Sequence, residues 1–142
     1  MQSIANKIAF SYGSLDEAFP PCDPLVKPVG SRVLVQFRTP KKVTKGGVIL
    51  TTDVRETEHY NTQIAKVLAV GPLAFHNRKD MTPWPEGAWC APGDFVRAPK
   101  YAGDRWTVAT SDGEDEAILA LFNDTDILGL VTGDPLAIKA FI

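Results

Sequence analysis

Eleven prolines and eleven glycines interrupt this 142-residue chain, and the apolar runs between them are short. Proline inside a helix removes a backbone hydrogen bond and clashes with the preceding turn. Glycine inside regular structure gives up more conformational freedom than any other residue. The pattern points away from long helices. Short strands at about 8–12-residue spacing, each bounded by Gly, Pro, Asn or Asp, indicate a small all-β barrel or sandwich. A hydrophobic content of 44% is enough for a real core, and the length fits one domain with arms or with a large insertion.

Alternation places the strands. In 32–38, Val33, Val35 and Phe37 share one face, with Arg32, Gln36 and Arg38 on the other. Residues 63–70 form a second strand that is apolar on both faces apart from Lys66, as expected where a closed or nearly closed barrel covers both sides. Gly71-Pro72 ends it. A long connection, 73–91, follows, with Phe75, His76, Trp84 and Trp89; connections of this length without structure of their own are uncommon and often functional. Its aromatic residues read as a packed apolar cluster or as a surface facing another protein. Further strands fall at 95–97, 105–109, 117–122 and 127–131. The leader carries Pro20, Pro21, Pro24 and Pro28 and reads as an extended arm, since proline cannot sit inside a sheet. The tail, 132–142, carries Pro135 and little pattern.

Composition disfavours several function classes. Fifteen basic residues face seventeen acidic ones, for a net charge of −2 with no basic block, so nucleic acid is a poor partner. No run approaches the roughly 20 apolar residues of a membrane span. The first ten residues lack the apolar stretch of a signal peptide, and Asp16 and Glu17 argue against a transit peptide. A cytoplasmic protein with Cys22 and Cys90 as free thiols is expected. His59 and His76 have no Cys or His three or four residues on, so a metal site is not expected. Asp112, Glu114, Asp115 and Glu116 flank a turn and read as a solvated hairpin tip. With no catalytic constellation, the expectation is a protein that is not an enzyme and takes no cofactor.

The most distinctive segment is Lys45-Gly46-Gly47-Val48-Ile49-Leu50. Adjacent glycines cost roughly 0.5–1 kcal/mol each in regular structure, so a mobile backbone is expected there. The run precedes a strand-like triplet rather than a helix N-terminus, and so is no phosphate cradle. Three aliphatic side chains in an otherwise hydrophilic loop are either captured by another protein or form a short buried strand after a turn. The residues alone leave both open.

Taken in order, Val29-Gly-Ser-Arg-Val-Leu-Val35, Gly46-Gly-Val-Ile-Leu50, Ala65-Lys-Val-Leu-Ala-Val-Gly71, Pro92-Gly-Asp-Phe-Val96, Lys100-Tyr-Ala-Gly103 and Asp126-Ile-Leu-Gly-Leu-Val131 resemble the GroES family of co-chaperonins. The likeness covers about residues 28–131. It implies a GroES-like, partly open β-barrel over 29–131, with a mobile loop at about 41–61 and a long roof loop at about 72–92. Outside the barrel lie the N-terminal arm, 1–28, and the C-terminal tail, 132–142. The function implied is an oligomeric lid, a seven-membered ring, on a GroEL-type chaperonin, assisting ATP-dependent folding of a client enclosed beneath it. Val48, Ile49 and Leu50 would dock in an apolar groove of the chaperonin, with Gly46 and Gly47 supplying flexibility. First and last strands of neighbouring subunits would pair, which assigns the interface to Arg32, Val33, Val35, Ile127, Leu128 and Leu130. Tyr101 reads as structural, with a cavity-facing role as the alternative.

The leader and tail depart from the family pattern and resemble additions in divergent bacteriophage-encoded members. They support a second reading, a phage virion structural protein (a capsid cement or decoration protein) on a GroES-like barrel, found in the virion with capsid protein as its partner. A zinc alcohol dehydrogenase, which carries a GroES-like domain, fails because no nucleotide-binding domain follows and the zinc ligands are missing.

Overall fold

A computed structural model describes residues 15–39, 63–99 and 102–138. Gly46, Gly47, Val48, Ile49, Leu50 and Tyr101 lie outside the described residues. Six antiparallel strands form one sheet: β1 (Arg32–Phe37), β2 (Ile64–Val70), β3 (Phe95–Arg97), β4 (Asp104–Ala109), β5 (Glu116–Asn123) and β6 (Gly129–Leu130). Their spatial order is β4-β5-β1-β2-β3-β6, an all-β, partly open barrel.

The β-branched and aromatic residues of β1 explain its central place, because such side chains fit a pleated surface covered on both sides. Val33 faces Phe122, Val35 faces Ala120 and Phe37 faces Ile118 across β5. On the β2 side the register slips between Leu34 and Val35, a bulge of the kind that bends a strand and increases its local twist. The inner face collects Val33, Val35, Phe37, Ala65, Val67, Val96, Ile118, Ala120 and Phe122 into one core. Arg105 closes it at the β4 side, its guanidinium 4.0 Å from the centre of the Phe37 ring.

The outer face is not left to water. Gln36 and Arg38 are as buried as the valines beside them. The described end of the leader folds back over this face. A four-residue helix, α1 (Leu15–Ala18), delivers Ala18 and Phe19 into a second cluster with Ile64, Phe95, Val131, Leu136 and Ile138. The Phe19 and Phe95 rings meet edge-on at 5.1 Å. The proline-rich stretch then contributes carbonyls, which proline retains: Pro20 accepts from the Gln36 side chain at 2.8 Å, and Pro21 accepts from the Ser111 amide at 2.8 Å. The tail returns to the same cluster through a 3-10 turn at Pro135–Ala137, capped by Asp134.

Candidate functional site

The segment that holds the glycine–aliphatic motif is inserted between two braced roots. At the first, the Thr39 amide donates to the Ala18 carbonyl at 2.7 Å, and the buried Arg38 guanidinium donates from Nη1 to the Ile138 carbonyl at 2.7 Å. At the second, Gln63 accepts from the Ala98 amide at 2.8 Å and from Arg97 Nη2 at 3.0 Å, while Ile64 enters the outer cluster. Phe37 and Ala65 are direct cross-strand partners, so the two roots lie side by side.

β1, which carries Arg32, Val33 and Val35 of the expected interface, has both of its edges occupied within its own chain, by β2 and β5. Its amides and carbonyls are spent, and Val33 and Val35 are fully enclosed in the core. Arg32 is exposed but sits on the same doubly paired sheet, opposite Asn123. Ile127 is likewise a core residue. The open apolar edge lies at β6, which pairs only with β3 among the described residues. There Leu128 is 63% and Leu130 51% exposed, and both line a groove of about 430 Å³ shared with Glu86, Ala88 and Trp89. A second exposed apolar stretch precedes β1: Leu25, held at φ 61° in the left-handed region, with Val26 and Val29. Sequence reasoning passed over this stretch because its prolines marked it as an arm.

The long connection is packed. Phe75, buried at φ 63°, meets Trp84 edge-on at 5.6 Å, and Trp84 lies 4.7 Å from Trp89. His76 forms an isolated bridge with Pro83, and its Nδ1 lies 2.8 Å from the Ala74 carbonyl. One residue ties this connection to the barrel. Asp124, 5% exposed, accepts the Phe75 amide on Oδ2 at 2.9 Å and donates its own amide to Ser31 at 2.9 Å. In the sequence Asp124 looked like an ordinary turn residue.

Among the described residues no group of three or more His, Cys, Asp or Glu is gathered to hold a metal ion. Burial, with the Asp94 charge nearby, pushes the Cys90 thiol up to about 11, which leaves it protonated and unreactive near neutrality. Burial also raises Cys22, with Asp23 adding to the effect. Asp112 is drawn down by the Thr110 hydroxyl, with which it forms a 2.6 Å hydrogen bond at the hairpin tip. No described helix is long and apolar enough to cross a membrane.

The described residues thus form a partly open antiparallel β-barrel with an exposed apolar edge at β6. The comparisons specify it further. The chaperonin 10 kDa subunit family matches residues 25–131. The chain is similar to the co-chaperonin GroES of Caldicellulosiruptor saccharolyticus, 32% identical over 108 residues that cover 75% of this chain and 96% of the relative. The co-chaperonin GroES of Methylacidiphilum infernorum is 33% identical over 111 residues, covering 78% and 98%. That of a Caulobacter species is 33% identical over 105 residues, covering 74% and 95%. The chain belongs to the chaperonin 10 kDa subunit family, the GroES-type co-chaperonins. It is not a family of enzymes. These matches give the capsid-cement alternative and a virion location no support.

Proposed function

We propose that this chain is the lid of a GroEL-type chaperonin in the cytoplasm, assembling into a ring, heptameric as its resemblance to the family implies, and enclosing a folding client. The observation that carries this reading is the family match across the whole barrel, with an aliphatic triplet, Val48-Ile49-Leu50, inside the segment between the two braced roots. Gly46 and Gly47 give the triplet the freedom to fit a partner groove. Burying three aliphatic side chains yields roughly 1.5–3 kcal/mol each, while ordering chain costs on the order of 1–2 kcal/mol per residue. A single segment therefore binds weakly. A ring binds tightly because each docked segment raises the effective concentration of the next, and a change in the chaperonin still releases it.

The ring closes through a heterologous contact. Leu128 and Leu130 on the open β6 edge, with the groove beside them, receive the exposed Leu25–Val29 stretch of the next subunit. Pairing there removes an exposed sheet edge that otherwise invites aggregation. The test is to mix the protein with a bacterial chaperonin and ATP and to look for capped complexes by native electrophoresis or electron microscopy. Capped particles are expected for the natural chain and none for Ile49→Asp. Absence of capping by the natural chain overturns the reading.

A further inference from the structure

Among the described residues two apolar clusters form, and only one of them draws on residues outside the family match. Every residue of the inner core, from Val33 to Ile127, falls within 25–131. The outer cluster instead recruits Ala18 and Phe19 from before the match and Leu136 and Ile138 from after it. The GroES relatives are covered almost to their full length by about three quarters of this chain. The terminal additions therefore extend beyond the length of these relatives, and the inner core contains no residue from them.

Their contacts fall where the 40–62 segment begins and ends. The Ala18 carbonyl takes the Thr39 amide, the last described backbone donor before the segment. The Ile138 carbonyl accepts from Arg38 Nη1, and the Pro20 carbonyl accepts from the Gln36 side-chain Nε2. Ile64, one residue beyond the other root, is enclosed by the same cluster. The position of Arg38 is informative. A guanidinium that is 1% exposed is costly to bury unless it is hydrogen-bonded, and the tail supplies both a cover and an acceptor. A long flexible side chain at the root of an insertion is thereby locked to the far end of the chain, one hundred residues away.

We propose that residues 15–24 and 132–138 form a clasp that is bonded to the first root of segment 40–62 and packed on Ile64 at the second, with Arg38 as the positioning residue, so that the termini govern how readily the Val48-Ile49-Leu50 triplet engages its partner. This rests on the docking reading given above. With the clasp open, Arg38 and Thr39 lose the partners that the termini supply and must be fixed again on docking. Each such residue weakens binding by up to about tenfold.

Three forms of the chain test the clasp: one ending at Gly133, Arg38→Met, and Arg38→Lys, which keeps a donor for the Ile138 carbonyl. Amide hydrogen exchange is read at Thr39, with Val35 and Ala120 as internal references for the core, and dissociation from a GroEL-type chaperonin is timed in ADP. The truncated chain and Arg38→Met should exchange Thr39 at least tenfold faster with the reference amides unchanged, and should dissociate at least fivefold faster. Arg38→Lys should recover most of both effects. Unchanged Thr39 exchange and dissociation overturn the proposal, as does acceleration of the core amides to the same extent, which would mark plain destabilisation. Ile49→Asp in the intact chain separates the two claims. If it binds as the natural chain does, the docking reading falls, and Thr39 exchange alone decides whether the clasp exists.

Discussion

Removing the Asp124 side chain should unfasten the long connection from the barrel. Asp124→Ala deletes the acceptor of the Phe75 amide, and Phe75 is 2% exposed, so water cannot replace it at that site. A hydrogen bond to a charged group is worth about 1.5–3 kcal/mol, and an orphaned buried donor costs a similar amount. Phe75 also holds a left-handed backbone that costs of order 1–3 kcal/mol and persists only because its surroundings enforce it. Relaxation recovers part of that strain but sacrifices the ring contacts with Trp84 and Trp89, worth about 0.5–1.5 kcal/mol per pair. The net expectation is a loss of about 2–3 kcal/mol, or about 6–12 °C in Tm for a chain of this size. Asp124→Asn keeps an acceptor oxygen and should lose about 1 kcal/mol. Urea unfolding followed by tryptophan emission suits the test, since two of the three tryptophans lie in the affected cluster. Protein concentration must be held fixed, because the proposed assembly would add stability by mass action. A loss below about 0.5 kcal/mol with unchanged emission refutes the reasoning.

Other expectations follow from single sites. At Gly71 an added Cβ would overlap the Gly30 carbonyl oxygen and come within 2.9 Å of the Arg32 carbonyl oxygen; both are backbone, so Gly71→Ala should cost at least about 2 kcal/mol. Gly113→Ala, at φ 73° with open space around it, should cost only about 1 kcal/mol, and equal chemical-denaturation midpoints would contradict this. Iodoacetamide at pH 8 should label Cys22 well before Cys90. Folded Cys90 keeps a proton that the unfolded chain releases near 9.0, so its contribution to stability is intact below that pH and is lost as pH rises from about 9 towards about 11. Cys90→Ala should flatten that alkaline fall, and an unchanged slope would contradict the assignment. Leu130→Asp should sediment as a monomer with an unaltered circular dichroism spectrum, because Leu130 is half-exposed and lies outside the core.

Local pattern carried far in this chain because the barrel is built from short, cleanly bounded strands. Alternation over 32–38 and the two-sided apolar run over 63–70 correspond to β1 and β2 within a residue or two, and Pro92-Gly93-Asp94 precedes β3 as a turn. Alternation shows which side chains share a face but not what meets that face. Gln36 and Arg38 look like solvent-facing residues, yet each finds a carbonyl contributed by a chain terminus. The same limit applies to the leader. Prolines bar it from a ladder of amide donors, but its carbonyls still bond, and Phe19 still finds the ring of Phe95. A four-residue helix such as α1 is too short to leave a periodicity. At the expected interface, alternation does not show that both edges of β1 are filled by β2 and β5 while Leu128 and Leu130 lie exposed beside β3. Asp124 shows the general point at one residue: its partner, the Phe75 amide, is 49 positions away.

The proposed docking of a ring on a chaperonin rests on Val48, Ile49 and Leu50. Its most direct measurement is sedimentation velocity of the protein mixed with a GroEL-type chaperonin in ADP, run side by side for the natural chain and for Ile49→Asp at matched ring content. The natural chain should travel with the chaperonin as a saturable complex, and Ile49→Asp should remain at the sedimentation coefficient of the free ring. Equal co-sedimentation of both chains would contradict the account.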